Sequence, residues 1–216
     1  MAENQSTVMI VDDHAVVRTG YRMLLELTGE FSVIAEVETG DQALHEYEQF
    51  RPDVVVMDLN LPGTSGIEAT RKIILGHPEA KILIFSIHDE SIYVTRAFDA
   101  GASGYICKSC APQEMVQAVR AIASGCVYVG TGLSNPASRR GKHQNDPLRF
   151  LSPREFEVFQ LLGKGLGTRD IADTLNLSSK TVSNYSTLIK EKLGLSSSVE
   201  LVKVAIQFLT VQGPKD

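Results

Sequence analysis

Short apolar runs alternate with amphipathic stretches along the first part of the chain. Val8 to Val11 is apolar and ends in Asp12-Asp13. Ala15 to Thr28 then carries Val17, Tyr21, Leu24, Leu25 and Thr28 at helical spacing, and Gly29 stops it. Phe31 to Glu36 alternates as a strand does. Asp41 to Phe50 predicts a helix with Ala43, Leu44, Tyr47 and Phe50 on one side, closed by Pro52. Val54 to Met57 is a continuous, mostly β-branched run, the pattern of a strand buried on both faces of a parallel sheet. Gly66 to Leu75 predicts a helix that turns Ile67, Thr70, Ile73 and Ile74 inward. A strand over Lys81–Ser86, a helix over Ser91–Asp99, a short strand over Gly104–Cys107 and a helix over Pro112–Ser124 follow. The last has proline in its first turn and an apolar stripe of Met115, Val119 and Ile122. Five strands alternating with five helices predict an α/β domain, a five-stranded parallel sheet doubly wound by helices with right-handed crossovers.

The pattern breaks at Gly130. Residues 130–148 are Ser, Asn, Pro, Gly, Arg, Lys, His and Gln with almost nothing apolar, which predicts a flexible linker. Ser152-Pro153-Arg154-Glu155 then forms a capping box with proline at the first helical position. The rest reads as helices over Pro153–Lys164, Thr168–Leu175, Ser179–Leu193 and Val199–Leu209, a small all-α domain of four helices. The expected division is a domain over residues 1–129, a linker over 130–148 and a second domain over 149–216.

Charge sharpens the division. Residues 1–130 hold 9 Lys/Arg against 18 Asp/Glu, whereas residues 149–216 hold 9 against 7. An acidic half joined to a mildly basic one suggests an anionic partner for the second. No stretch approaches the 18 apolar residues of a membrane span, and Met1 to Thr7 lacks the pattern of a secretory signal. No membrane role and a cytoplasmic location are therefore expected. Cys107, Cys110 and Cys126 are an odd set. Cys107 and Cys110 form a Cys-x-x-Cys, but no second pair completes a metal site, so free thiols are expected.

The candidate chemistry lies at the ends of the strands, where open α/β sheets place their sites. The first strand delivers Asp12 and Asp13, the third Asp58 before a Pro-Gly turn, the fourth Ser86 and the fifth Lys108. Carboxylates gathered there repel one another unless a cation joins them, and a few hard oxygen ligands completed by water suit Mg²⁺. Lys108 adds a point charge for Asp58 or for phosphoryl oxygens, and Ser86 a hydroxyl. These groups make Asp58 a candidate nucleophile for phosphoryl transfer. On Asp58 alone, a turn-capping carboxylate is an equal reading.

Val11-Asp12-Asp13-His14, Met57-Asp58-Leu59-Asn60-Leu61-Pro62-Gly63, Ser86 and Lys108 together resemble the receiver domain of two-component response regulators. Leu151-Ser152-Pro153-Arg154-Glu155, Ile171-Ala172 and Leu177-Ser178-Ser179-Lys180-Thr181-Val182 resemble the LuxR-type helix-turn-helix, in the order of the NarL/FixJ family. The resemblance implies a flavodoxin-like receiver, a regulator rather than an enzyme, and phosphorylation of Asp58 by a sensor histidine kinase. It implies Mg²⁺ held by Asp13, Asp58 and the carbonyl of Asn60, with Asp12 acting through water, and Ser86 and Tyr105 as a switch pair. Two positions depart from the family pattern: Ile87 stands where a small residue is usual, and Ser109 where proline often follows the lysine. Without proline, a cis Lys108–Ser109 peptide would cost about 2.5–4 kcal/mol.

In the second half, Thr168–Leu175, Asn176-Leu177-Ser178 and the next helix have helix-turn-helix spacing. Val182, Tyr185, Ile189 and Leu193 face inward, and Lys180, Ser183, Asn184, Thr187 and Lys190 form the opposite, polar side. By the resemblance, Ser183, Asn184 and Thr187 read base edges, and Lys180, Thr181 and Lys190 position phosphates. Tyr185 stands where many members carry histidine. Val199, Val202, Ile206 and Leu209 form a stripe suited to pairing two such domains. The expected partners are a sensor kinase, double-stranded promoter DNA, a second copy on activation, and RNA polymerase.

Two rival functions fit the residues less well. A phosphohydrolase built on Asp58 would need a second carboxylate two residues on, where Asn60 stands. An RNA reader would show aromatic stacking platforms, whereas this face is polar. A linker of about 18 residues reaches roughly 20–25 Å, enough for the output domain to fold back on the acidic receiver until phosphorylation frees it.

Overall fold

In a computed structural model, which describes residues 5–133, 148 and 151–212, the Val54–Met57 run is β3, buried along its whole length. Its neighbours are β1 (Ser6–Val11) on one side and β4 (Ile82–Ser86) on the other. The sheet continues outward through β2 (Phe31–Val37) at one edge, and through β5 (Gly104–Cys107) to β6 (Tyr128–Val129) at the other. All pairings are parallel, in the order β2-β1-β3-β4-β5-β6. The order reverses between β1 and β3, which opens a crevice at the carboxyl ends of those strands. The sixth strand was not expected: two residues are too short a run to show a period in the sequence.

The helices are α1 (Ala15–Glu26), α2 (Gly40–Phe50), α3 (Gly66–Gly76), α4 (Ser91–Asp99) and α5 (Pro112–Ala123). Strand alternation sends Val8, Ile10, Val54, Val56, Leu83, Phe85 and Ile106 into one core, shared with Leu25 of α1 and with Met115, Val119 and Ile122 of α5. The expected faces of α1 and α3 are partly filled: Leu25, Ile67, Thr70 and Ile73 are buried, while Val17, Tyr21, Leu24 and Ile74 are half-buried. Phe50 departs from expectation. It is the last residue of α2 and is 42% exposed, because the chain leaves the helix through a left-handed Arg51 (φ 48°) before Phe50 reaches the core.

The chain separates into two compact units, Met1–Lys142 and His143–Asp216. Residues 134–147, most of the expected linker, lie outside the described residues. Gly130 to Leu133 are held: Gly130 N donates to Tyr105 O at 2.8 Å, and Thr131 N to the Glu114 carboxylate at 2.6 Å.

The second unit contains α6 (Pro153–Gly163), α7 (Thr168–Thr174), α8 (Ser179–Leu193) and α9 (Ser198–Gln212). The capping box forms as the sequence predicts, with Ser152 and Glu155 exchanging bonds at the start of α6. Phe208 of α9 packs edge-on against Phe156 and Phe159 of α6. Between α7 and α8, Asn176 takes a left-handed φ of 53°, a conformation that asparagine tolerates and that reverses the chain within three residues. Ser178 then caps α8 by accepting from Thr181 N at 3.1 Å.

Candidate functional site

Strand register builds the acidic site. Val11 pairs with Met57, so the next residues, Asp12 and Asp58, emerge side by side, and Asp58 N donates to Val11 O at 2.9 Å. Ser86 pairs with Cys107, which sends Lys108 back across the strand ends. The Lys108 ammonium lies 2.5 Å from Asp12 Oδ2 and 2.8 Å from Asp58 Oδ2. Asp12 and Asp58 are almost fully buried, whereas Asp13 is open to solvent. The loop after β3 folds tightly over the site: a Cβ on Gly66 would lie 1.8 Å from the Asp58 carbonyl oxygen, so no larger residue fits without moving the backbone.

Charge is unbalanced here. Burial pushes the Asp58 carboxyl above the ordinary carboxylate range, and the Lys108 ammonium opposes that shift. Burial works against the charge of Lys108 too, but the Asp58 and Asp12 carboxylates outweigh it, and its pKa is raised. One ammonium thus serves a cluster in which Asp12, Asp13, His14 and Asp58 offer ligand atoms within 4.8 Å of one another. The donors are mainly hard carboxylate oxygens, the set that suits Mg²⁺. His14 was not expected here. Its Nδ1 lies 2.8 Å from Asp13 Oδ1 and 3.1 Å from Asp12 Oδ1, because the Asp-Asp-His run turns at the start of α1. Asn60 N approaches Asp58 Oδ1 at 3.3 Å.

Ser86 and Tyr105 are fully buried beside this cluster. Burial drives the Tyr105 phenol far above its ordinary pKa, with the Ser86 hydroxyl opposing, so it stays a neutral donor. Its hydroxyl donates to His88 O at 2.8 Å, and His88 N donates to Ser86 Oγ at 3.2 Å. Ile87, directly after β4, is 64% exposed and turns its apolar side chain to solvent. No described peptide is cis, so Lys108–Ser109 is trans. Cys107 and Cys110 are free and half-buried, and burial raises the Cys110 thiol rather than activating it; Cys126 is free and exposed.

On α8, Val182 and Ile189 are buried, and Tyr185 and Leu193 half-buried, as the spacing predicts. Lys180, Ser183, Asn184 and Thr187 are exposed; Thr181 and Lys190 are half-buried. The hydroxyls are already engaged. Ser183 Oγ donates to Ser179 O at 2.9 Å, Thr187 Oγ1 to Ser183 O at 3.2 Å, and Thr181 Oγ1 lies 2.8 Å from Ser178 Oγ. Each oxygen keeps acceptor capacity outward. On α9, Val199 and Ile206 are exposed and Val202 and Leu209 half-buried, while Leu201 and Ala205 face the core. Among the described residues, no single helix is long and apolar enough to cross a membrane.

Comparison with known proteins matches residues 8–120 to the family described as "Response regulator receiver domain", and residues 149–205 to "Bacterial regulatory proteins, luxR family". The oxygen regulatory protein NreC of Staphylococcus haemolyticus is 40% identical over 209 residues, covering 93% of this chain and 96% of that protein. A LuxR-family two-component response regulator from Aurantimonas is 44% identical, with a TM-score of 0.60 over 63% of this chain and 99% of that one. The RcsB response regulator of Salmonella enterica serovar Typhimurium, solved bound to the promoter rprA in the presence of the phosphomimetic BeF3-, is 26% identical, with a TM-score of 0.59 over 94% of this chain and 99% of that one.

Proposed function

The chain belongs to the two-component response regulators that join a receiver to a luxR-type DNA-binding domain and regulate transcription, and from that premise we propose that Asp58 is the phosphoacceptor whose state controls binding of α8 to promoter DNA. The observation that carries the reading is the strand-end constellation of Asp12, Asp58 and Lys108 within hydrogen-bonding distance. It sits in the same chain as a helix-turn-helix with an exposed polar face.

A carboxylate oxygen of Asp58 attacks the phosphorus of a kinase phosphohistidine. The new P–O bond forms as the P–N bond breaks, and the imidazole leaves with the electron pair. Asp13, Asp58 and the Asn60 carbonyl, with Asp12 through water, would hold Mg²⁺, which supplies positive charge against the transferring oxygens. Lys108, already between Asp12 and Asp58, holds its proton and pairs with a phosphoryl oxygen. The Ser86 hydroxyl donates to another, and the Tyr105 ring follows Ser86 as the switch. Asp58 serves as an acceptor and not as a turnover catalyst.

For the output, Ser183, Asn184 and Thr187 are assigned to base edges, and Lys180, Thr181 and Lys190 to phosphates. The exposed Val199 and Ile206 of α9 are assigned to pairing two output domains on adjacent half-sites. We place the division at residues 1–129, 130–148 and 149–216, the chain in the cytoplasm, and RNA polymerase as the further partner at the promoter. Genome-wide DNA occupancy of the wild type and D58A, with and without phosphorylation, tests the whole reading. Occupancy that depends on phosphoryl in the wild type and is unresponsive in D58A is the expected result.

A further inference from the structure

Arg18 of α1 has no part in the reading above, yet its guanidinium reaches the peptide that joins the two adjacent aspartates of the acidic site. Its Nη1 donates to Asp12 O at 2.5 Å. Its Nη2 donates to the Glu38 carboxylate at 2.6 Å, and its Nε faces the Glu36 carboxylate at 4.0 Å. The side chain is only 11% exposed. A guanidinium is a rigid fork that stays charged, so Glu38 can hold one arm while the other is aimed at a carbonyl.

The place of that carbonyl gives the bond its meaning. Val11 is the last residue of β1 paired with β2 and with β3. Asp12 N still donates to Val37 O at 3.1 Å, but the Asp12 carbonyl lies beyond the ladder, and the Arg18 arm satisfies it. That carbonyl shares a planar peptide with Asp13 N, so holding it fixes the plane from which Asp13 departs. The two carboxylates are held differently. Asp12 is buried and bonded to the Lys108 ammonium. Asp13 is open to solvent and faces the exposed ring of His14; among the described residues it pairs with no lysine or arginine, so its backbone sets its aim. The far arm of Arg18 is anchored as well. Glu38 N donates to Gln42 Oε1 at 3.0 Å, and Gln42 N to Thr39 Oγ1 at 3.2 Å in the capping box of α2.

We propose that Arg18 is a positioning residue for the divalent cation of phosphoryl transfer: by clamping the Asp12 carbonyl to α1 and to Glu38, it presets the Asp13 carboxylate as a ligand. The inference rests on the acidic site holding that cation. A ligand already aimed has less freedom to lose when the cation arrives, so the clamp raises affinity. Through-space electrostatics predicts the opposite sign. A positive charge near the Asp12, Asp13 and Asp58 carboxylates repels a cation, so its removal alone would tighten binding.

The test titrates Mn²⁺, which suits the same oxygen ligands, into the full-length protein without a phosphoryl donor and reads free Mn²⁺ by electron paramagnetic resonance. Arg18→Met keeps the apolar stem and removes every donor. It is expected to weaken Mn²⁺ binding about 5- to 20-fold, the effect of one charged hydrogen bond partly transmitted to the ligand. Arg18→Lys keeps the charge but lacks the fork, and is expected to fall between R18M and the wild type. Glu38→Gln frees the far arm and is expected to weaken binding about 2-fold, as for an exposed ion pair. In labelling with acetyl phosphate, half-saturating Mg²⁺ is expected to rise in R18M by the factor seen with Mn²⁺, and excess Mg²⁺ to restore most of the rate, which a general loosening of the fold would not allow. Circular dichroism checks folding, and where R18M does not fold, R18K and E38Q carry the test. A wild type that binds no Mn²⁺ overturns the acidic site as a cation site and the clamp with it. Binding by the wild type with equal or tighter binding by R18M, R18K and E38Q overturns the clamp alone.

Discussion

The carboxyl edge of the receiver sheet and the outward face of α8 are both polar, yet they are built in opposite ways. At the sheet edge Asp12, Asp58 and Ser86 are buried, and strand register brings the Lys108 ammonium within hydrogen-bond length of both carboxylates. On α8 Lys180, Ser183, Asn184 and Thr187 are exposed, and Ser183 and Thr187 donate to carbonyls of their own helix. The first surface is organised before its partner arrives and holds excess negative charge in a site of low polarity. The second is neither strained nor concentrated, and its contacts form only when a base edge replaces water. Preorganised charge suits a chemical step; an adaptable hydrogen-bonding face suits readout of a sequence.

The sharpest way to break this comparison is at Asp58. Asp58→Ala should abolish labelling by a kinase or by acetyl phosphate while circular dichroism stays that of a folded protein. A base-labile acyl phosphate still forming in that variant would move the acceptor elsewhere.

On the readout side, Asn184→Ala should cost about 1–3 kcal/mol at one operator position and little at the others. Titration against operators permuted one base pair at a time measures it. Lys190→Ala should have a smaller, sequence-independent effect, flattening the dependence of log K on log salt by about 0.9 for one lost phosphate contact. Equal losses on every sequence for both variants would erase the distinction between base and phosphate contacts.

The smallest expected effect is thermal. The pKa of Asp58 is raised in the folded state, so its contribution to stability is present below its unfolded pKa and is lost as pH rises through the folded value. Asp58→Asn should therefore melt higher than the wild type at neutral pH, with the gap closing as pH falls through the raised folded value toward the ordinary carboxylate range. Saturating Mg²⁺ should narrow the gap from the other side, because a cation that binds the folded carboxylates raises the stability of the wild type. A wild type that melts higher than D58N at neutral pH without metal would mean that the carboxylate is better compensated than its burial implies.

The charged residues at the strand ends were legible because each follows a strand that its own apolar run announces. Asp12 follows Val8–Val11, Asp58 follows Val54–Met57, and Lys108 follows Gly104–Cys107. The helices were equally legible from their stripes, to within one or two residues at their ends, where hydrogen bonding frays, except that α9 runs three residues past Leu209. His14 and Arg18 were not legible in these roles. Neither lies on an apolar face, and what each touches depends on how a loop turns and which way a side chain points. The departure of Phe50 has the same origin, since hydrophobic spacing predicts a side of a helix but not how far along it the core extends.

The sequence by itself therefore determined the alternation of strands and helices, the cap that opens the second domain and the residue types at each strand end, because these follow from neighbours along the chain. Tertiary structure alone decided the pairing of Val11 with Met57 and of Ser86 with Cys107, and with it the meeting of Lys108 with carboxylates 50 and 96 residues away. It also decided the addition of β6 and the junction of Arg18 with Glu38, 20 residues apart. Those contacts depend on strand register and loop closure, which no local pattern records, because their free energy appears only once the sheet has formed.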